Sequence, residues 1–122
     1  PDTQVAPVVL AATDPAQPYG AALAWPASNG RPSRSAGALV VLHDGLPLVW
    51  YDRRGHSVVR FAAAESNHLW VDAMAQLVSS GRQRSIEVRK VDGSPPDPSS
   101  PVAAALTAAG FTPGYRGYTL RR

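Results

Sequence analysis

Three short apolar runs between residues 36 and 61 constrain the fold more than any other part of the sequence. The runs are Ala38–Leu42, Leu46–Tyr51 and Ser57–Phe61, and turn sequences that end in Gly45 and Gly55 separate them. A tight hairpin needs a residue with positive φ, which glycine adopts freely, and Asp-Gly is a strong hairpin signal. The stretch therefore predicts a three-stranded antiparallel meander with a glycine at the positive-φ position of each turn.

Two helices are predicted after the meander. The first spans Glu65–Ser80, with Ser66 or Asn67 as its cap and Gly81 after its last turn. Its apolar stripe consists of Leu69, Trp70, Met74, Leu77 and Val78. The second begins at Pro101, with Ser100 as N-cap, and ends at Gly110, an arrangement typical of helix termini.

Two further strands complete the pattern. Ser85–Val91 alternates apolar and charged residues, as a strand with one wet face does, although Val91 breaks strict alternation. The last strand lies within Arg116–Arg121. The predicted fold class is α+β: a curved, mostly antiparallel, barrel-like sheet in the order β-β-β-α-β-α-β, with two helices packed on it.

The first 35 residues predict a cover for this sheet. Val5–Ala12 is apolar, but the proline within it favours an edge strand. The proline-rich segment that follows is too interrupted for a helix and too apolar for a linker, and Tyr19, Leu23 and Trp25 are its predicted anchors. A chain of 122 residues suits one domain. We expect a single domain over 1–122, with 1–35 as an irregular covering segment and 36–122 as the sheet-helix core.

Charge leaves two interpretations open. The chain has twelve basic and nine acidic residues, a net charge of +3, and eleven of the twelve are arginine. Arginine's planar fork suits phosphate, which favours an anionic partner. A composition rich in Ala, Arg, Gly and Pro is equally typical of a GC-rich genome, in which arginine replaces lysine without functional demand.

The residue inventory argues against several kinds of site. There is no cysteine, and the histidines at 43, 56 and 68 lack zinc-ligand spacing, so the sequence predicts neither a metal site nor a cofactor. No apolar run is long enough for a transmembrane helix, and we expect a cytoplasmic protein without membrane partners. The chain begins at Pro1, and we take it for a piece of a longer protein.

Three stretches together resemble a known family. They are LAATDPAQPYGAALAWP at Leu10–Pro26, the basic hairpin after Gly37, and VDGSPPDPSSPVAAALTAAGFTPGYRGYTLR at Val91–Arg121. They are similar to the last module of the bacterial large helicase-related proteins, the Lhr family, and the match covers most of the chain.

The resemblance implies a C-terminal, β-barrel-like accessory domain of an ATP-dependent superfamily-2 helicase that takes part in DNA repair. It also implies DNA and other domains of the parent helicase as partners, and it links the module to self-assembly. The chain contains no G-x4-G-K-[ST] phosphate loop, so we expect this fragment to be no enzyme. None of the family's glycosylase-like residues maps onto it.

The arginines form three groups that would make a continuous basic stripe if the sheet were a barrel. They are Arg53, Arg54 and Arg60; Arg82, Arg84 and Arg89; and Arg116, Arg121 and Arg122. From these the predicted nucleic-acid contacts are Arg53, Arg54, Arg60, Arg84, Arg89 and Arg116. Trp50 or Tyr51 would offer a stacking face of the kind that binders of single-stranded DNA use. The alternative is that the arginines are solvated strand ends and the three tryptophans are core.

Two rival functions remain. One is a self-assembly module, a homo-oligomer without nucleic-acid contact, in which the arginines only solubilise the surface. The other is a small hydrolase that uses His43 or His56, for which no nucleophile can be assigned.

Overall fold

Two β-sheets and two α-helices form the fold in the computed structural model, which describes residues 5–122. The part of the predicted covering segment at 1–4 therefore lies outside the described residues. The strands are β1 Val8–Ala11, β2 Ala38–His43, β3 Leu46–Asp52, β4 Ser57–Arg60, β5 Ser85–Val88, β6 Lys90–Val91, β7 Thr112–Pro113 and β8 Tyr118–Arg121. The helices are α1 Leu69–Ser79 and α2 Pro101–Ala108, and a 3₁₀ turn, Ala62–Ala64, precedes α1.

The larger sheet has the order β1-β2-β3-β4-β6, and the smaller has the order β5-β8-β7. Every pairing is antiparallel except that of β4 with β6. The α+β class and the mostly antiparallel pairing are confirmed. Within residues 5–122 the two sheets are not closed into a barrel. The large sheet contains a β-bulge, where the β2–β3 register shifts between Val41 and Leu42.

The predicted meander is present as β2, β3 and β4. Its first turn has Asp44 at φ 55° and Gly45 at φ 83°, the two positive values of a tight hairpin turn. The prediction for the second turn was wrong, since His56, at φ 54°, takes the left-handed conformation and Gly55 does not. A Cβ on Gly55 would lie 2.9 Å from Oδ2 of Asp52, the end of a side chain that can rotate away.

The predicted strand Ser85–Val91 is two strands in two different sheets. β5 pairs with β8, whereas β6 pairs in parallel with β4. The chain crosses at Arg89, whose backbone N–H donates to the His56 carbonyl at 2.7 Å. This crossing explains the broken alternation, because Val88 and Val91 are both buried on either side of it.

Gly117 makes the crossing possible. A Cβ at this position would lie 2.3 Å from the Val88 carbonyl oxygen and 2.9 Å from the Arg89 Cα, and both atoms belong to backbone. No side-chain rotation can relieve such contacts. Gly117 precedes β8, so its close approach sets β8 beside β5 and the chain crossing.

The two helices occupy the predicted regions, with one difference in bounds. α2 begins as expected, with the Ser100 hydroxyl accepting from the Ala103 N–H at 3.2 Å and Pro101 in the first turn. α1 begins at Leu69, because the Asn67 carboxamide accepts the Leu69 N–H at 3.0 Å and the residues before it form the 3₁₀ turn. Leu69 is 39% exposed and does not belong to the buried stripe. No helix in the described part of the chain is long and apolar enough to cross a membrane.

The large sheet has an apolar core on each face. On one face, Val41, Val49 and Tyr51 contact both helices and the inner side of the small sheet, and Trp70 of α1 is fully buried among them. On the other face lies a smaller cluster of Ala12, Ala38, Val40, Trp50, Val59 and Phe61, with Trp25 and Leu42 partly buried against it. Each face of this sheet therefore needs its own cover.

Residues of the segment before β2 pack on this second face. The ring of Trp25 stacks on that of Phe61, with centroids 6.0 Å apart, and the Tyr19 hydroxyl donates to the Gly45 carbonyl at 2.8 Å. The prediction of Leu23 as an anchor was wrong, since this residue is 48% exposed. An anchor that the prediction missed is Gln17, which is buried and bonds only to backbone groups of its own segment.

We expect Gly117→Ala to lower the free energy of unfolding by about 3 kcal/mol, because its methyl group must displace backbone at the crossing. The matched control is Gly114→Ala in the same loop, whose Cβ would meet only the Gly117 carbonyl oxygen at 3.7 Å, an ordinary contact. It should change stability by less than about 0.5 kcal/mol. Urea unfolding followed by circular dichroism measures both, and equal losses would contradict this role of Gly117.

Candidate nucleic-acid interface

The six predicted arginines fall into two groups. Arg53 and Arg54 lie exposed in the β3–β4 turn, Arg84 lies exposed before β5, and Arg116 lies exposed before β8. The other two, at positions 60 and 89, are half-buried and ion-paired. The first group has free guanidinium surface, and the second has its charge already matched.

Arg60 lies at the end of β4 that is far from the β3–β4 turn. Its Nε donates to Oδ2 of Asp92 at 2.8 Å, and its backbone N–H donates to Oδ1 of the same carboxylate, also at 2.8 Å. One aspartate therefore secures the end of β4 with both oxygens. This geometry gives Arg60 a structural role and separates it from the arginines of the turn.

Arg89 is paired with Glu87 of β5. Its Nε donates to Oε2 at 3.0 Å and its Nη2 to Oε1 at 3.2 Å, a two-pronged contact. This hydrogen bonding holds the pKa of the Glu87 carboxyl below its usual range, against a smaller opposing effect of burial. The charges of Arg89, His56 and Arg116 lower this pKa further.

A cleft of about 210 Å³ lies between the two sheets, beside this ion pair. The large sheet contributes Tyr51, and Arg53 and His56 come from its β3–β4 turn. The small sheet contributes Glu87 and Arg121. The cleft therefore brings together a predicted arginine, Arg53, and one that the predicted set left out, Arg121.

Tyr51 joins the two walls of the cleft. Its ring is buried, and its hydroxyl donates to the backbone carbonyl of Glu87 at 2.6 Å, a bond that links β3 to β5. Burial raises the pKa of Tyr51 to about 12. The bond positions Glu87 and, through it, the Arg89 guanidinium.

The basic surface continues from the cleft along the end of the small sheet. Arg121 pairs in register with Ser85, and the Arg122 N–H donates to the Arg84 carbonyl at 3.3 Å. Arg84, Arg121 and Arg122 line one open depression. We call the set Arg53, Arg84, Arg121 and Arg122 the basic rim.

The predicted stacking residues are not available on this surface. Trp50 is only 7% exposed, and its Nε1 donates to the Ser33 carbonyl at 2.9 Å on the face that the covering segment occupies. Tyr51 is buried, as described above. Tyr115, which precedes Arg116, is an exposed aromatic residue, and its side chain is fully open to solvent. An aromatic-basic pair in the glycine-flanked sequence GYRG was the signal that could have identified it.

The histidines show no catalytic arrangement. His43 lies at the β2–β3 turn, where its Nε2 is 2.9 Å from the Val5 carbonyl oxygen, and His56 lies at the opposite end of β3. Nδ1 of His56 is 3.8 Å from Oε1 of Glu87. Between residues 5 and 122, no group of three or more potential ligands could hold a metal ion.

Comparison with known proteins adds one relative. The chain is 46% identical over 124 aligned residues to a protein of Mycolicibacterium smegmatis named Lhr helicase/ probable uracil glycosylase. The chain is homologous to a segment of an Lhr helicase. The alignment covers 93% of the chain but only 8% of that Lhr protein, and no family model matches the chain. The resemblance to Lhr is therefore confirmed, and the chain spans a small part of its relative.

The residues that carry the Lhr resemblance are largely structural. Asp14 and Gln17 of the first stretch make local hydrogen bonds within the covering segment, and the Tyr19 hydroxyl attaches it to the Gly45 carbonyl in the β2–β3 turn. In the last stretch, Gly117 admits the chain crossing. Arg121, also in the last stretch, is exposed and lines the cleft.

The raised pKa of Tyr51 predicts a loss of stability in alkali. The folded protein holds the phenol proton more tightly than the unfolded chain, whose tyrosine pKa is 10.0. The stabilisation is complete below pH 10 and is lost as the pH rises towards 12, where the free energy of unfolding should have fallen by roughly 2 to 3 kcal/mol. Urea unfolding at a series of pH values measures this decline.

The comparison variants are Tyr51→Phe and Tyr115→Phe. The first should be less stable at neutral pH by about 1 kcal/mol, because it lacks the hydrogen bond to Glu87, but it should lose less stability between pH 10 and 12. The second removes an exposed phenol and should follow the wild type. A wild-type alkaline decline in Tyr51→Phe would contradict this assignment.

Proposed function

We propose that this chain is a non-catalytic accessory domain, C-terminal in its parent, of an Lhr-type ATP-dependent DNA helicase that takes part in DNA repair. Its role is to contact the DNA backbone through the basic rim, together with Arg54 and Arg116. The homology to an Lhr helicase supports the parent, and the convergence of free arginines from both sheets supports the DNA contact. Other domains of the parent helicase are further partners.

The arrangement of charge is the observation that carries the proposal. Arg60 and Arg89, which the sequence pattern also favoured, have their forks occupied by Asp92 and Glu87. The arginines of the rim come from the β3–β4 turn and the end of the small sheet. Arginine at such a surface neutralises phosphates and releases counterions, so affinity should depend strongly on salt.

Tyr115 supports single-stranded DNA as the preferred form. Its open ring beside Arg116 combines a stacking face with a cation, the combination that single-strand binders use. Bases in a duplex are already stacked, so this ring gains a partner only where the strand is unpaired. A cytoplasmic location agrees with this role and stays a prediction.

The test is binding of the chain to labelled single- and double-stranded DNA across a salt series. For single strands, Arg53→Ala plus Arg54→Ala should reduce the slope of log affinity against log salt by roughly 1.4, about 0.7 for each contact. The matched control is Arg31→Ala, since Arg31 is exposed in the covering segment on the opposite face of the large sheet. Its slope should equal that of the wild type.

Two results would overturn the proposal. Undetectable binding at low salt would remove DNA as a partner of this chain. If Arg31→Ala reduced the slope of log affinity against log salt by as much per arginine as Arg53→Ala plus Arg54→Ala does, the protein would attract DNA only through its net charge. Tyr115→Ala should weaken binding to single strands by about tenfold and leave duplex binding unchanged.

The second candidate function is self-assembly without DNA contact. The observation in its favour is the outer edge of β1, which pairs only with β2 in the described residues and exposes Val8. An open strand edge is a template for pairing with a second chain.

Sedimentation of the chain at several concentrations separates this candidate from the first. If the β1 edge mediates assembly, Val8→Lys should yield a monomer, whereas Leu23→Lys, at an equally exposed apolar site away from the edge, should not. A wild-type chain that is monomeric at all concentrations excludes assembly through this edge.

A further inference from the structure

The cleft between the sheets is smaller than a typical site for a small molecule. Its volume, about 210 Å³, lies below the roughly 300–1,000 Å³ that is typical of sites for whole small molecules. It has room for a phosphate with part of its sugar. Its walls come from different sheets, which the Tyr51 hydroxyl bond to the Glu87 carbonyl holds together.

Positive charge exceeds negative charge around the cleft. Arg53 and Arg121 line it from opposite walls, and neither has an ion pair among the described residues. The carboxylate that faces them is that of Glu87, whose two oxygens already accept hydrogen bonds from Arg89. Glu87 therefore attracts the two arginines but is largely satisfied without them.

His56 adds a third polar group to the same cleft. Its Nδ1 is buried and has no hydrogen-bond partner within residues 5–122, and it lies 3.8 Å from Oε1 of Glu87, too far for a direct bond. A buried ring nitrogen without a partner carries a desolvation cost that a ligand can remove. His56, whose φ is positive, lies in the same β3–β4 turn as Arg53.

We propose that this cleft is a phosphate-binding subsite, in which Arg53 and Arg121 hold one phosphate of the nucleic acid between the two sheets and the His56 ring is a third contact. This inference rests on the proposed DNA contact and specifies where one phosphate lies. Two guanidinium forks match the oxygens of one phosphate and bind it more strongly than single point charges.

Glu87 sets the affinity of this subsite. Its negative charge lies against the position of the phosphate and repels it, while the Arg89 pair keeps it ionised. Removing this charge without changing the shape of the side chain should therefore strengthen binding. This gain in DNA affinity is opposite in sign to the loss expected for the arginine variants. A variant that failed to fold would lose affinity, so misfolding cannot produce the gain.

The arginines are tested with Arg53→Ala, Arg121→Ala and the double variant, using labelled single-stranded DNA at fixed salt. Each single variant should weaken binding by about tenfold. The double variant should lose less than the product of the two, because both side chains hold the same phosphate. Arg31→Ala is the control, and unfolding midpoints confirm that each variant is folded.

Glu87 is tested with Glu87→Gln against Glu65→Gln. Both remove one negative charge from the chain, but Glu65 is exposed beside Arg60, away from the cleft. Glu87→Gln should bind DNA about threefold more tightly, and Glu65→Gln should change affinity much less. Equal effects of the two variants would overturn the role of Glu87.

The source of the phosphate is distinguished with oligonucleotides that carry a 5′-phosphate or a 5′-hydroxyl. A requirement for the 5′-phosphate assigns the subsite to a strand end, and equal binding assigns it to an internal phosphodiester. In parallel, NMR titration with inorganic phosphate should shift the His56 ring and the Nε–H signals of Arg53 and Arg121, and leave that of Arg31 in place.

The outcomes separate this inference from the proposed function. If DNA binds but Arg53→Ala and Arg121→Ala are no weaker than Arg31→Ala, the phosphate subsite is wrong and the general DNA contact stands. If DNA does not bind at low salt, both are wrong as statements about nucleic acid, whatever inorganic phosphate does. Additive losses in the double variant would show two separate phosphates and overturn the shared subsite.

Discussion

The two sheets depend on one close approach of backbone to backbone, where the chain leaves β5 and enters β6. There the Arg89 N–H bonds to the His56 carbonyl, and Gly117 admits the neighbouring strand at a distance that no side chain allows. The crossing places β5 beside β8 and β6 beside β4. The cleft exists because of it, since one wall belongs to each sheet.

The covering segment solves a different problem, the burial of polar backbone without regular secondary structure. The Gln17 carboxamide bonds to the carbonyls of Ala12 and Tyr19 and to the Tyr19 N–H, and the Arg34 guanidinium bonds to the carbonyls of Asp14, Gln17 and Tyr19. Side chains thus replace the missing strand partners.

Local signals in the sequence predicted what local energetics decide. The Asp44-Gly45 turn and the Ser100–Pro101 start of α2 follow from backbone preferences within a few residues. The break of the predicted strand Ser85–Val91 at Arg89 could not be predicted, because the partners of its two halves, β8 and β4, lie far from it along the chain. The same limit applies to Arg60, which differs from Arg53 because the pairing of β4 with β6 brings Asp92 against it. Arg89, by contrast, pairs with Glu87 only two residues before it, a local contact.

The three tryptophans lie on different sides of the large sheet. Trp70 is in the core that the helices cover, while Trp25 and Trp50 are in the smaller cluster under the covering segment. Their indole emission therefore reports on two layers separately, and a chain that retains one tryptophan reveals which layer loosens first. Detachment of the covering segment would expose Trp25 and Trp50 to water while the surroundings of Trp70 stay unchanged, an intermediate that total fluorescence would record as partial unfolding.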